Sequence, residues 1–205
     1  MLAANSILYL HDNFTKWWHA HPGPAPRAWH DSHGRIHWHS RIELHHRANF
    51  DLWHFEDDAR APGAADADIA AAKRSIDRAN QHRNDLVEQL DEALLEHLAP
   101  LGLPNSDATL HSESPGLIID RLSILALKIY HTREEMRRSD APPGHAERNC
   151  ARLVILEEQL ADLARCLDSL WNETMRGTRR FKLYRQLKMY NDPNLNPAIY
   201  SRAPK

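Results

Sequence analysis

The chain has 205 residues, of which 42% are hydrophobic and 26% charged, and its formal net charge is −2 with histidine counted as neutral. This length suits one compact domain with a hydrophobic core and is short for two. The longest apolar run, near residues 122–129, is too short to span a membrane. The near-neutral charge argues against general nucleic-acid affinity. We therefore expect no membrane and no nucleic-acid partner.

The two cysteines, Cys150 and Cys166, fall on one predicted helix. Sixteen residues of helix separate them by about 24 Å, which is too far for a disulfide. We interpret both as packing residues. The first residues lack the basic start and long apolar stretch of a secretory signal. Free thiols without such a signal predict a reducing, cytoplasmic location.

Histidine is unusually abundant, with 15 copies, and most of them lie in the first quarter of the chain. We expect this quarter to be pH-sensitive, because many imidazoles change charge between about pH 6 and 7. The pairs His19-x-His21 and His37-x-His39 could bind a divalent metal through neutral imidazoles. The alternative is a solvated or packed His-rich segment. The spacing is loose and no cysteine joins it, so we assign no metal ligand.

The chain begins with a predicted short helix over about residues 6–19, in which Trp17 and Trp18 act as anchors. Residues 20–40 are rich in proline, glycine and histidine and predict a loop. A helical pattern follows from about residue 40 to residue 60, and the sequence Ala-Pro-Gly at 61–63 ends it.

The next predicted helix begins at Asp66 or Asp68 and continues to about residue 98, with an apolar stripe at helical spacing. Another begins at Ser114, an N-cap, and Pro115, a first-turn proline, and continues to about residue 138.

A long leucine-rich helix is predicted over about residues 145–176, and after Gly177 a basic helix over about residues 178–190. We find no strand pairs with hairpin signals. The predicted fold class is all-α, an antiparallel bundle of four to five main helices with a His/Pro-rich N-terminal loop. Within this single domain we assign three parts: residues 1–39 (short helix and loop), 40–190 (bundle) and 191–205 (turn and tail).

Two polar residues fall in the apolar stripe of the helix over residues 66–98. At 100° per residue, Asn80 lies about 40° and Arg83 about 20° from Ile76. A buried guanidinium requires an acidic partner or an anionic ligand. The pattern therefore leaves two interpretations for Arg83, an internal salt bridge or a ligand-facing role.

The helix over residues 115–138 is apolar in almost every direction, which is typical of a central helix. Asp120, Arg121, Lys128 and His131 form one polar wedge about 100° wide on it. The wedge is either a solvated edge or the wall of an internal polar cavity. In the second case Lys128 and His131 are acid/base candidates, and Arg121 is an anion clamp.

One face of the helix over residues 40–60 also carries polar side chains at helical spacing: Glu43, Arg47, His54 and Asp57. Glu43-x-x-His46 and Asp51-x-x-His54 superficially resemble the ligand pairs of di-metal bundles. Such sites draw their pairs from two different helices, which argues against one here.

The predicted last helix is basic through Lys182, Arg185 and Lys188. Three interpretations stay open for it: a solvated face, a partner surface or an anion site. Asn191 and Asp192, which follow it, are residues that cap and turn a chain.

Four long segments have the character of family motifs: residues 49–60 (NFDLWHFEDDAR), 73–85 (KRSIDRANQHRND), 112–131 (SESPG running into IDRLSILALKIYH) and 181–193 (FKLYRQLKMYNDP). They resemble the motifs of a bacterial family catalogued as domain of unknown function 4254. The resemblance covers about residues 40–200, whereas the His-rich insert at residues 28–39 departs from it. It implies a helical fold, a bacterial source and a setting among genes for envelope glycans or other small-molecule assembly. It implies no activity.

Our leading hypothesis is an enzyme or specific binder of an anionic metabolite, phosphorylated or carboxylated, held between helices. The cofactor is left unknown. The candidate catalytic residues are His54, Asp57, Asp120, Lys128 and His131. The candidate ligand-binding residues are Asn80, Arg83, Arg121, Lys188 and Asn191.

Two other hypotheses remain. A non-catalytic helical partner of a biosynthetic enzyme predicts an exposed apolar patch, built from Trp17, Trp18, Trp29 and Trp38. A metal-dependent helical-bundle enzyme is the third. A glycine-rich phosphate loop is not expected, because the seven glycines form no phosphate-cradling motif.

Overall fold

The structure, a computed structural model, describes residues 2–187 and 194–197. The described part contains five α-helices: α1 (Ala4–Ala20), α2 (Trp38–Asp58), α3 (Asp66–Leu98), α4 (Pro115–Met136) and α5 (His145–Met175). A 3-10 turn, Ala99–Leu101, follows α3, and two short strands, β1 (Thr109–Leu110) and β2 (Arg179–Arg180), pair in parallel. All five helices begin and end within two residues of the predicted bounds. The all-α fold class is confirmed.

The helices enclose one main hydrophobic core. Leu90, Leu94 and Leu98 of α3 follow each other at four-residue spacing and are fully buried. They belong to one cluster with residues of the other helices: Ile7 from α1, Ile42 from α2, Ile118, Ile119 and Leu122 from α4, and Leu167 and Leu170 from α5. Because α1 contributes to this cluster, the N-terminal helix is packed into the bundle.

The most extensive helix contacts join α4 to α5 and α2 to α3, and α4 also contacts α1, α2 and α3. A central position for α4, as its all-round apolar sequence predicts, agrees with these contacts. The antiparallel orientation of the neighbours stays a prediction. Within the described ranges no helix is both long and apolar enough to cross a bilayer.

The first turn of α4 packs very closely against α3. Ser114 caps the helix by accepting a hydrogen bond from the Leu117 amide at 3.4 Å. The Gly116 amide donates to Oδ1 of Asp91 at 2.7 Å. A Cβ on Gly116 would lie 2.7 Å from the carbonyl oxygen of Val87. This approach of two backbones requires glycine, which gives the SESPG motif a structural reason.

The prediction of a basic helix over residues 178–190 is wrong for residues 178–187, the part of this segment that the structure describes. Arg179–Arg180 forms β2, and residues 181–187 have no regular structure. Phe181 is only 2% exposed and lies in the main core, while Arg185 binds Glu88 and Glu92 of α3. Strand pairing, core burial and these ion pairs outweigh helix propensity, so the described segment forms no helix.

The cysteines differ from their predicted role. Cys150 and Cys166 are both free, as expected, but both are exposed. Their interpretation as packing residues is therefore wrong. Both lie on α5, and we did not recognise from the sequence that these two positions of the helix face the solvent.

Candidate functional site

A polar network crosses the middle of the bundle between α1, α2 and α4. It is built on three side chains that α2 turns inward, His45, His46 and Asn49, all of which are buried. They follow the fully buried Ile42 at helical spacing. We selected a different face of this helix from the sequence, missed His45 and Asn49, and considered His46 only in a metal pair, although the spacing of all three from Ile42 was a usable signal.

The hydrogen bonds of the network have one consistent direction. The Asn49 amide donates to Oδ1 of Asp120 at 2.9 Å and to Oγ of Ser123 at 3.0 Å. The Ser123 hydroxyl lies 2.7 Å from Nδ1 of His46, and Nε2 of His46 lies 2.8 Å from the Thr15 hydroxyl. Thr15 donates to the backbone of α1. His46 therefore accepts at Nδ1 and donates at Nε2, as a neutral imidazole does.

Burial keeps His46 and the neighbouring His11 neutral. It lowers the pKa of His46 to about 3, helped by the charge of His45. His11 stacks on His46 with ring centroids 4.4 Å apart, and burial also holds its pKa well below the usual range. Taking a charged imidazole out of water without a counter-ion is unfavourable, which explains why the pKa values of His46 and His11 are both lowered.

Asp120 is the anionic end of the network. Burial favours its protonated form, but the hydrogen bond and charge of His45, the charge of Arg83 and the Asn49 amide outweigh burial and lower its pKa. Nε2 of His45 donates to Oδ1 of Asp120 at 2.9 Å. Nε of Arg83 is 3.8 Å from the same oxygen, within ion-pair distance and beyond hydrogen-bond distance.

A central cleft of about 460 Å³ opens between α2, α3 and α4, next to this network. Three predicted site residues, Asp57, Asn80 and Arg83, line it. Asp120 lies behind two of the lining residues, Asn49 and Arg83, which it contacts. The other lining residues are Leu52, Trp53, Glu56, Arg60, Ile124 and Leu127. Four of the predicted residues thus meet at one place.

Arg121 and Lys128 lie elsewhere. Both are exposed and line an outer groove between α4 and α5, with Gln159 and Asp162 across from them. Arg121 also binds the Glu113 carboxylate at 2.9 and 3.0 Å. The structure does not bring these two cations to Arg83. Neighbouring residues on a helix point about 100° apart, so the two edges of the predicted wedge face different partner helices.

His54 and His131 meet in a histidine cluster with His19 of α1. One ring nitrogen of each lies within 4.8 Å of the others. Trp53 connects this cluster to the central cleft, because its ring stacks on His131 with centroids 4.6 Å apart while it lines the cleft. Within the described ranges this is the one group of three or more potential metal-binding side chains. His54 lies in this cluster rather than beside Asp57 in the cleft.

None of the metal pairs considered from the sequence enters this cluster as a pair. His21 stacks on Trp17 with ring centroids 3.7 Å apart. Nδ1 of His37 accepts from the His39 amide. His46 belongs to the polar network.

The predicted tryptophan patch is not assembled as a whole. Trp18 is 5% exposed and packs on Phe50, and Trp38 packs against the main core. Trp17 and Trp29 are exposed. Two further predicted binding residues, Lys188 and Asn191, lie outside the described residues.

Comparison with known proteins identifies a family and no activity. A family model described as "Protein of unknown function (DUF4254)" matches residues 39–183, more than two thirds of the chain. The match includes α2 to α5 and all residues of the central cleft, while α1 precedes it. No curated protein and no solved structure shows significant similarity to the chain.

Proposed function

Since the chain belongs to the DUF4254 family, whose function is unknown, we propose a function from its own geometry: it binds an anionic small molecule, phosphorylated or carboxylated, in the central cleft. The observation that carries this proposal is the state of Arg83. Its Nε is buried and has no hydrogen-bond partner among the described residues, although the side chain lines an open cleft.

An anionic group in the cleft would give the Arg83 guanidinium, whose side chain is 22% exposed, a partner for both charge and hydrogen bonding. Asp120 balances part of its charge from 3.8 Å but accepts no hydrogen bond from Nε. An unsatisfied buried donor is unfavourable by about 1–3 kcal/mol, and more for a charged group. The planar guanidinium matches the geometry of a carboxylate or phosphate. The amide of Asn80, on the same helix and in the same cleft, offers a neutral donor beside it.

The rest of the cleft suits the uncharged part of a metabolite. Trp53, Ile124 and Leu127 form an apolar wall, and the exposed carboxylate of Asp57 accepts hydrogen bonds from hydroxyl groups. A volume of about 460 Å³ is within the usual range for small-molecule sites. A hydroxylated compound with one anionic group, such as a sugar phosphate or sugar acid, satisfies each of these surfaces.

The proposal concerns binding, and the acid/base roles expected from the sequence stay predictions. Of the five candidate catalytic residues only Asp57 lines the cleft, and Asp120 lies behind the lining residues Asn49 and Arg83. The family resemblance suggests a bacterial protein of envelope-glycan or small-molecule assembly. It therefore directs the choice of probes to sugar phosphates, nucleotide sugars and carboxylic acids.

The test is a thermal-shift screen of untagged protein against these probes and inorganic phosphate. A ligand that binds only the folded state stabilises it by about 2.7 kcal/mol at a hundredfold excess over Kd. We expect a shift for one class of anion, lost in Arg83→Gln. The matched control is Arg121→Gln, because this arginine lines the outer groove and should leave the shift unchanged.

Two outcomes would contradict the proposal. One is a panel in which no anion raises the unfolding temperature. The other is a shift that persists in Arg83→Gln but disappears in Arg121→Gln, which would place the anion in the outer groove. Circular dichroism of each variant establishes that a lost shift is not lost folding.

A further inference from the structure

The geometry points to a transition-metal site formed by His19, His54 and His131, with Zn²⁺ as the cation that fits it best. These residues come from α1, α2 and α4, and one ring nitrogen of each lies within 4.8 Å of the others. The site is separate from the anion-binding surface of the central cleft, and neither proposal depends on the other.

The hydrogen bonds of the three rings determine which nitrogen is free. Nδ1 of His19 lies 2.8 Å from the carbonyl oxygen of Thr15, and Nδ1 of His54 lies 2.8 Å from that of Phe50. A carbonyl oxygen only accepts, so both Nδ1 atoms carry the proton. The third ring, His131, places its Nδ1 2.8 Å from a carboxylate oxygen of Glu134, with the same consequence. In each neutral ring Nε2 therefore holds a lone pair.

Two of these lone pairs have no protein partner. Nε2 of His19 and Nε2 of His131 are buried and without a hydrogen bond among the described residues. Buried polar atoms are normally satisfied, so two orphaned acceptors at one place require a reason. A cation held between the rings satisfies both of them together and also takes the lone pair of the His54 Nε2.

The surroundings are those of a metal ligand set. Ligating histidines normally donate their second ring nitrogen to a backbone carbonyl or a carboxylate, which orients the ring. All three rings do so here. Tyr130 stacks on His19 with centroids 4.3 Å apart, and Trp53 stacks on His131 at 4.6 Å. These aromatic walls hold two of the three ligands in place.

Imidazole nitrogen without thiolate suits Zn²⁺, and also Co²⁺, Ni²⁺ and Cu²⁺. Tetrahedral Zn²⁺ with bonds of about 2.0–2.1 Å places its nitrogens about 3.4 Å apart, so the rings need to approach each other slightly. Three protein ligands leave a fourth position for water or another small ligand, which is the arrangement of catalytic rather than structural zinc sites.

The experiment is a titration of metal-stripped, untagged full-length protein with Co²⁺, followed by displacement with Zn²⁺. We expect one equivalent of Co²⁺ with the visible absorption of nitrogen-ligated cobalt, and its loss when Zn²⁺ is added. His19→Gln and His131→Gln should abolish this absorption. His21→Gln is the matched control, because His21 is exposed, follows His19 closely and lies outside the cluster.

A second variant tests the orienting carboxylate. Glu134→Gln should weaken metal affinity by about 10–100-fold without abolishing binding. Circular dichroism monitors folding, and if His131→Gln does not fold, His54→Gln decides. Absence of the cobalt spectrum in the wild-type protein would overturn the proposal. So would a spectrum that persists in the folded cluster variants, or one lost instead in His37→Gln or His39→Gln, which would place the metal at the start of α2.

Discussion

Nε2 of the fully buried His45 donates a hydrogen bond to Oδ1 of Asp120 across 2.9 Å, and this pair joins the polar network to the central cleft. Through it the Asp120 carboxylate stays ionised at 3.8 Å from Nε of Arg83. Asp120 thus neutralises part of the charge of Arg83 beside the cleft, without accepting a hydrogen bond from Nε of Arg83. Both the stability of the bundle and the charge of the cleft depend on this contact.

Asp120→Asn should reduce the free energy of unfolding by about 1.5–3 kcal/mol, the range for hydrogen bonds to charged groups. The substitution removes the counter-charge of Arg83 and weakens the bond from His45. Urea unfolding measures the change. Asp162→Asn is the control, since the Asp162 side chain is 56% exposed and pairs with Arg165 at the surface. A control effect above about 0.5 kcal/mol, or equal effects in both variants, would contradict this role.

The network should make the protein acid-sensitive at a higher pH than its carboxylates alone would. The pKa of His46 falls from 6.5 to about 3 on folding. Between these values the unfolded chain binds a proton that the folded protein does not, so stability decreases as the pH falls below 6.5. His11 acts in the same direction. We expect the unfolding temperature to drop from neutral pH to about pH 4.5.

His46→Gln tests this expectation, because glutamine can accept from Ser123 and donate to Thr15 without titrating. The variant should lose stability at neutral pH but show a flatter pH dependence than the wild type. His21→Gln removes an exposed imidazole and should leave the dependence unchanged. A wild-type slope retained in His46→Gln would show that this ring is not responsible.

The contribution of Asp91 to stability should depend on pH in the opposite sense to that of His46. Burial raises its pKa to about 6 from 3.8, against the hydrogen bonds of Ser114 and the Gly116 amide. The folded state therefore binds a proton more tightly than the unfolded state, and the contribution of Asp91 to stability decreases as the pH rises through this range. The free energy of unfolding of Asp91→Asn, relative to that of the wild type, should therefore increase by on the order of 3 kcal/mol as the pH rises from about 4 to about 7.

Chemical unfolding of both proteins across that pH range measures this gain. Asp85→Asn is the control, because Asp85 lies exposed on the same helix and its carboxylate accepts a hydrogen bond from Gln81 at the surface. A difference between Asp91→Asn and wild type that does not change with pH would contradict the raised pKa.

Gly116→Ala should destabilise the bundle by about 1–3 kcal/mol, the usual range for overpacking. The added methyl group would lie 2.7 Å from the Val87 carbonyl and 2.9 Å from the Asp91 carboxyl, so α3 and α4 must separate. Gly23→Ala is the control, because its Cβ would meet only the His21 carbonyl, at 3.9 Å. Thermal unfolding compares the two, and equal stability would contradict the close approach.

The sequence by itself determined where the five helices lie along the chain. Helical periodicity, the Ser114–Pro115 start and the glycine and proline stops are local signals, and they predicted every long helix. The error at residues 178–187 has a non-local cause. There Phe181 enters the core and β2 pairs with β1, and no local signal reports such partners.

Only the tertiary structure decided which polar faces meet. Periodicity located Arg83 and Asn80 on the inner face of α3, and packing then brought Asp57 and Asp120 to them. The same packing turned Arg121 and Lys128 toward α5. His19, His54 and His131 meet because α1, α2 and α4 converge. A helix period specifies direction about one axis, whereas a site between helices depends on how several axes are arranged, which the whole core determines.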